Sequence, residues 1–310
     1  MDMPETVSSL QFDTLCVRRL GLTRDLPPGT EDLQWVANTA TLIFGGRDAV
    51  LVDTFLTVDQ NQQLVDWVKA HDRNLAYIYI THGHGDHGFG VRHLTEAFPA
   101  ARAVAAEAVV AKAKLEGSPP FIDNFWTARF PGQIPLPQVF PEVLDGDTFH
   151  LEGHPLQVID TGFTDTECST ALWARDLRLV VAGDGAYNGI HQYMAETTAE
   201  SRQEWMRATD ILAALDPVFV VAGHKNPDLP DAPKILAETK KYLADFNRLD
   251  AETEMANELY EAMLALYPKR ANPGALWAGA KRAKGTAGSG VPGSDSGSGP
   301  VASRPLGRKG

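Results

Sequence analysis

The stretch Thr81-His82-Gly83-His84-Gly85-Asp86-His87-Gly88 decides how the rest of the chain reads. Three imidazoles and a carboxylate fall within six residues. Neutral nitrogen donors beside an anion are what a borderline-soft divalent cation needs. The intervening glycines fit a loop that turns sharply, because residues without Cβ bend most easily. A His-rich surface loop is the plainer alternative. What distinguishes the two is whether other chain segments bring donors to the same point.

Working outward, the residues before this stretch form a continuous apolar run, Leu75 to Ile80, as expected of a strand covered on both faces. The cluster therefore sits at the carboxyl end of a buried strand, where open α/β sheets place their sites. Three further apolar runs stop in the same manner. Val52 leads into Asp53, Val180-Val181-Ala182-Gly183 into Asp184, and Val220-Val221-Ala222-Gly223 into His224. Four strand ends that stop at His or Asp read as one site assembled from separate strands.

The spacing between these points predicts alternating elements. Strands are expected at Gln11 to Arg18, Thr39 to Phe44, Ala49 to Val52 and Ala101 to Ala105. Two hairpins are expected in the second half, one turning at Gly153-His154 and one at Arg175-Asp176. Helical spacing marks Val58 to Lys69, with Thr57 and Gln60 placed to form a capping box. Helices are also expected at Val91 to Ala97, Glu107 to Leu115, Ala199 to Leu215 and Glu252 to Leu266. Another is expected from a cap at Asp231, with Pro233 in its first turn.

Gly117 to Val143 is rich in both Pro and aromatic residues. Disordered segments are poor in aromatics, so an ordered loop is expected, with Phe125 and Trp126 covering either a substrate or the edge of the core. Residues 1–10 read as a loose N-terminus and 279–310 as a disordered Gly/Ser/Pro-rich tail, leaving 11–278 as one domain.

Composition bounds the partners. The chain has 310 residues and a formal net charge of -12, which points away from nucleic acid. Two cysteines, no basic-then-apolar leader and no apolar run of 18 residues fit a cytoplasmic protein without a membrane partner. A small molecule is the expected partner, and a homo-oligomer stays open.

Taken in order, Asp53, His82-x-His84-x-Asp86-His87, Asp184 in Gly-Asp-Gly and His224 in Ala-Gly-His resemble the metallo-β-lactamase-fold hydrolase superfamily across residues 40–225. The resemblance implies an α/β fold, an αββα sandwich of two mixed sheets flanked by helices, with a two-metal site at one edge. It implies His82 and His84 on the first metal, Asp86, His87 and His224 on the second, and Asp184 between them. Asp53 would hold the metal-loop backbone without touching metal.

The resemblance also implies a third His for the first metal, in a segment like Asp-x-Gly-His-Thr. In Asp160-Thr161-Gly162-Phe163-Thr164 that place falls on Phe163, which has no donor atom, so the first metal site is expected to be weakened and the second complete. Asp165, Glu167, Cys168 or His191 could substitute, though each has a plainer structural reading.

The implied cofactor is zinc, one or two ions per chain, with other divalent metals possible. The implied chemistry is attack of metal-bound hydroxide on the carbonyl of a small, partly apolar ester, lactone or lactam. Asp86 or Asp184 would carry the proton, Tyr187 would donate to the oxyanion, and Phe163 and His191 would flank the substrate. Two alternatives stay open: a degenerate member that binds without turnover, and an iron-dependent oxidoreductase.

Overall fold

The computed structural model describes residues 9–23 and 26–285. Most of the expected loose N-terminus, and the tail from residue 286 onward, lie outside the described residues. Leu10, assigned to that loose end, is buried in the core.

Two sheets face each other. The first has the order β1-β2-β3-β4-β5-β6, with β1 at Gln11–Leu20, β2 at Trp35–Phe44, β3 at Asp48–Val52, β4 at Asn74–Tyr79, β5 at Arg102–Ala105 and β6 at Glu142–Val143. β1 to β3 are antiparallel, and β3 to β6 run parallel. Parallel neighbours need crossovers. The helices Val58–Ala70, Val91–Ala97 and Glu107–Glu116 are part of them.

The second sheet contains β7 (Thr148–Leu151), β8 (His154–Gly162), β9 (Ser169–Ala174), β10 (Leu179–Val181) and β12 (Phe219–Val221), with β12 at the edge beside β10. A two-stranded parallel ribbon, β11 (Tyr187–Asn188) with β13 (His224–Lys225), leaves this sheet at its site-bearing end.

Strand side chains alternate between faces, and the packing follows that period. In β3, Val50 and Val52 pack between the sheets with Tyr79, Leu172 and Leu179. Ala49 and Leu51 pack outward against Leu64, Val68, Leu94 and Val109 of the helices. In β10, Val181 faces inward, while Val180 faces Leu212, Ile235 and Leu236 of the helices Ala199–Ala213 and Lys234–Glu252. The result is the αββα sandwich that the sequence resemblance implies.

Further differences from the sequence reading have local causes. The aromatic segment is ordered but helical, running Pro119–Phe121, Ile122–Trp126 as a π turn, and Thr127–Arg129. Its two prolines sit at the helix start, where a missing N–H costs nothing. Asp231 does not cap the next helix, which begins at Lys234. Its carboxylate instead accepts from Lys225 Nζ at 2.7 Å. The helix Ala256–Leu266 begins later than expected. A last helix, Pro273–Ala283, crosses the boundary placed at residue 279, and Leu276 and Ala280 pack into the C-terminal helical core. Among the described residues, no helix is long and apolar enough to cross a membrane.

Candidate metal centre

The site lies where the strands end. Past β4, Thr81 N–H donates to Asp53 Oδ1 at 2.8 Å, and Thr170 N–H donates across the sandwich to Thr81 O at 2.9 Å. Past β10 and β12, Gly223 N–H donates to Gly183 O at 2.7 Å, and Thr39 N–H reaches Gly223 O at 2.8 Å. These bonds tie both sheets to the same corner and place His82, His84, Asp86, His87, Asp184 and His224 together. Every one of these six side chains is buried.

The glycines of the metal loop serve closeness. Neither Gly83 nor Gly85 has a positive φ. A Cβ on Gly83 would lie 2.4 Å from Lys112 Cγ and 2.9 Å from Ala113 N. The expectation of a sharp glycine-only bend is therefore replaced by one of tight packing against the helix Glu107–Glu116.

Each imidazole has one nitrogen fixed from outside the cluster. His87 Nδ1 pairs with Asp53 Oδ2 at 3.1 Å, and His224 Nδ1 with Ala37 O at 2.9 Å. His82 Nδ1 lies 3.0 Å from Thr81 Oγ1, and His84 Nε2 lies 2.9 Å from Glu196 Oε1. Such partners set the tautomer and leave the other nitrogen free to accept a cation. The free nitrogens face carboxylates. His84 Nδ1 is 2.9 Å from Asp165 Oδ2, His87 Nε2 is 3.3 Å from Asp184 Oδ1, and His224 Nε2 is 3.2 Å from Asp184 Oδ2.

Asp165, one of the substitutes the sequence left open, is brought to this site. It is fully buried, and its carboxylate groups with His82 and His84 within 4.8 Å, as a shared ligand set requires. Phe163 is half-buried and does not line the cavity, so it does not occupy the place of the third ligand. A bulge lies between Asp160 and Gly162, and the loop turns through Gly162 (φ 67°) and Cys168 (φ 60°).

Burial disfavours charge on His84, but Glu196 and Asp165 outweigh it and raise its pKa well above the usual imidazole range. Asp184 and Asp53 likewise overcome burial at His87, and Asp184 does so at His224. Burial opposes the Asp184 carboxylate, yet His224 and His87 hold it well below the usual range. His82 is lowered by burial and by His87. The carboxylates thus favour positive charge at this corner.

An open cavity of about 710 Å³ leads to the cluster. Its walls include Leu22, Val36, Phe121, Phe125, Trp126 and Ala275, with Arg19, Tyr193 and Glu116 among the polar residues. Phe125 and Trp126 line this cavity and also pack with Phe89 and Phe121, so both expected positions, cavity wall and core edge, describe them. His191 does not line the cavity. It is buried beneath the C-terminal helices, with Nδ1 2.8 Å from the Tyr242 hydroxyl. The Tyr187 hydroxyl donates to Asp184 Oδ2 at 2.6 Å, and its ring stacks on His224.

The sequence reading did not single out Arg19, Asn38, Glu116, Tyr193 or Glu196. Each lies outside any motif, within a strand, at a helix end or in a loop. Glu116 is pushed up to about 7, chiefly by burial.

Four buried polar atoms converge in the cluster with no well-aligned hydrogen bond among the described residues: His82 Nε2, His87 Nε2, Asp165 Oδ2 and Asp184 Oδ1, the last three making only ion-pair contacts. An unpartnered buried polar atom costs about 1–3 kcal/mol, so four converging in one place fit a bound cation. The donor chemistry, imidazole with carboxylate, suits zinc, manganese or iron.

A family model described as the metallo-beta-lactamase superfamily matches residues 33–224, more than half of the chain. The chain belongs to that superfamily. A curated relative, a hydroxyacylglutathione hydrolase from Synechococcus sp. (strain CC9902), is 31% identical over 189 residues, covering 58% of this chain. The match spans 63% of that relative, under two-thirds of its length. A metallo-beta-lactamase family protein from Thermus thermophilus superposes with a TM-score of 0.57 at 20% identity, covering 89% of this chain and 91% of that one. A metallo-beta-lactamase from Hirschia baltica gives a TM-score of 0.53 at 16% identity, covering 75% and 93%. At these identities the structural likeness concerns the fold.

Proposed function

We propose that this chain is a metal-dependent hydrolase of a small, partly apolar acyl compound: an ester, a lactone or a lactam. The observation that carries the reading is the set of four imidazoles, each locked from behind, three of them with the other nitrogen facing a buried carboxylate. The Synechococcus relative, named for hydrolysis of hydroxyacylglutathione, supports acyl hydrolysis as the reaction type.

His82, His84 and Asp165 would hold the first ion, Asp86, His87 and His224 the second, with Asp184 shared. A divalent ion supplies hydroxide at neutral pH and polarises a carbonyl. The chain does the rest. Asp53, through Thr81 and His87, fixes the ligand loop. Tyr187 holds Asp184 in place, because its hydroxyl is already committed to that carboxylate. Leu22, Phe121, Phe125 and Trp126 exclude water and receive the apolar part of the substrate. The buried Asp184 carboxylate is placed to move a proton toward the leaving group.

Asp165 in place of a third imidazole hardens the first position. Two imidazoles with carboxylates suit manganese and ferrous iron as well as zinc. That donor set is also what keeps an iron-dependent oxidoreductase as the second reading. A cytoplasmic location is consistent with Cys16 and Cys168, both unpaired.

Metal content of the purified chain, together with turnover of ester, lactone and lactam panels, tests the proposal. Bound zinc or manganese, with hydrolysis abolished by Asp184→Asn, is the expected result. Absence of both metal and turnover overturns it. Bound iron with oxygen consumption transfers the case to the second reading.

A further inference from the structure

The two halves of the metal centre differ in charge, and the difference comes from a residue outside every motif. Arg19 lies near the end of β1, and its side chain is 7% exposed. Its Nη2 donates to Asp86 Oδ2 at 2.8 Å, and its Nε donates to Asn38 Oδ1 at 3.0 Å. Asn38 Nδ2 donates to the same Asp86 oxygen at 3.0 Å. That oxygen is the one facing His224 Nε2, 3.6 Å away. A carboxylate oxygen has two lone pairs, and both are taken here by donors. One donor also carries a fixed positive charge that cannot be shed, because a guanidinium stays protonated in proteins.

The first position lacks this feature. Asp165 Oδ2 faces only the imidazole of His84, at 2.9 Å, and accepts from no guanidinium or amide among the described residues. The nearby cation, Lys112, is turned to Glu196 Oε2 at 3.4 Å, on the far side of His84. Glu196 thereby adds negative charge behind His84 and fixes its tautomer, while Arg19 adds positive charge beside Asp86.

We propose that Arg19 keeps the position of Asp86, His87 and His224 weak for divalent metal, so that the chain binds one ion tightly, at His82, His84, Asp165 and Asp184. This rests on the metal-binding reading above and reverses the asymmetry that Phe163 suggested in the sequence. Groups that hydrogen-bond metal ligands change affinity by about 10–100-fold, and a full charge in a buried site belongs at the upper end of that range.

The test is titration of chelator-stripped protein with Zn2+, Mn2+ and Co2+. Stoichiometry and affinity are read by calorimetry and by the visible spectrum of the cobalt form. For the parent, one equivalent binds tightly and a second at least about tenfold more weakly. In Arg19→Met the second tightens by at least about tenfold and the first is unchanged. Arg19→Gln, which keeps a neutral donor, gives the same direction and serves if the Met variant does not fold. Arg19→Lys, which keeps the charge, resembles the parent. Two equal tight sites in the parent, or a second site unmoved in the neutral variants, overturn the role of Arg19 and leave the metal reading standing. A parent that binds no divalent ion overturns the metal reading, and this proposal falls with it.

Discussion

Asp165 and Phe163 are two residues apart and have opposite consequences. Asp165 turns its Oδ2 to His84 Nδ1, whereas Phe163 stays out of the cavity wall. Asp165→Asn removes the charge at constant shape. It is expected to weaken the tight metal by at least about tenfold, measured by calorimetry, with turnover lost in parallel. Phe163→His is expected to leave metal stoichiometry unchanged, because an imidazole there has no site to face. A rise in bound metal in that variant would falsify the assignment. Gly223 is a third sensitive position. A Cβ there would lie 2.2 Å from Asp184 Oδ1 and 2.9 Å from Gly183 C. Gly223→Ala must displace the shared carboxylate or the backbone, so metal affinity is expected to fall even if the chain stays folded, as circular dichroism would report.

The residues legible in the sequence were those whose chemistry is local. His82, His84, Asp86 and His87 are adjacent, and Asp53, Asp184 and His224 each follow an apolar strand, so strand endings alone brought them together. Asp165 was legible only as one of four candidate substitutes, because which of Asp165, Glu167, Cys168 and His191 turns inward depends on the irregular loop after Asp160 and not on spacing. Glu196 and Arg19 reach the site from outside all of these segments, and no spacing rule connects them to it.

At the scale of elements, periodicity was the reliable signal, and capping was reliable where both partners of a capping box are present, unlike the lone Asp231. The helix Val58–Ala70 starts where Thr57 and Gln60 predict, with both halves of the capping box formed. Thr57→Ala removes the acceptor for the Gln60 N–H. It is expected to cost about 1 kcal/mol in urea unfolding with activity retained, since this helix packs on the sheet face away from the metals. Composition misled where it resembled a linker. The helix Pro273–Ala283 is built from Ala, Gly, Lys and Arg around Leu276 and Trp277, and blends into the Gly/Ser-rich sequence that follows it. Its identity comes from packing against Met194, Tyr260 and their neighbours, which no local window contains.

At the scale of the molecule, the C-terminal helices bear on the site through the ribbon of β11 and β13, which carries Tyr187 and His224. His191 lies just past β11, inside that layer. Its Nδ1 faces the Tyr242 hydroxyl at 2.8 Å, and its Nε2 has no partner. Arg270, over the Tyr242 ring at 4.8 Å, donates to Ile190 O at 2.9 Å. Burial first, and the Arg270 charge second, lower the His191 pKa to about 3. The folded chain thus keeps this imidazole neutral, while the unfolded chain protonates it near pH 6.5. Between those values the unfolded state binds more protons, so the His191 contribution to stability is lost as pH falls from about 6.5 toward 3. At pH 5 the loss is about 2 kcal/mol, from about 1.5 pH units at about 1.4 kcal/mol each. His191→Gln removes the titrating group. The variant is expected to be less stable than the parent at pH 7, yet to lose about 2 kcal/mol less between pH 7 and 5. Denaturant unfolding of both proteins with chelator present, so that metal release enters both equally, isolates the contribution. Parallel pH profiles for the two would show that His191 already carries a proton when folded, and that the C-terminal layer does not enforce its neutrality.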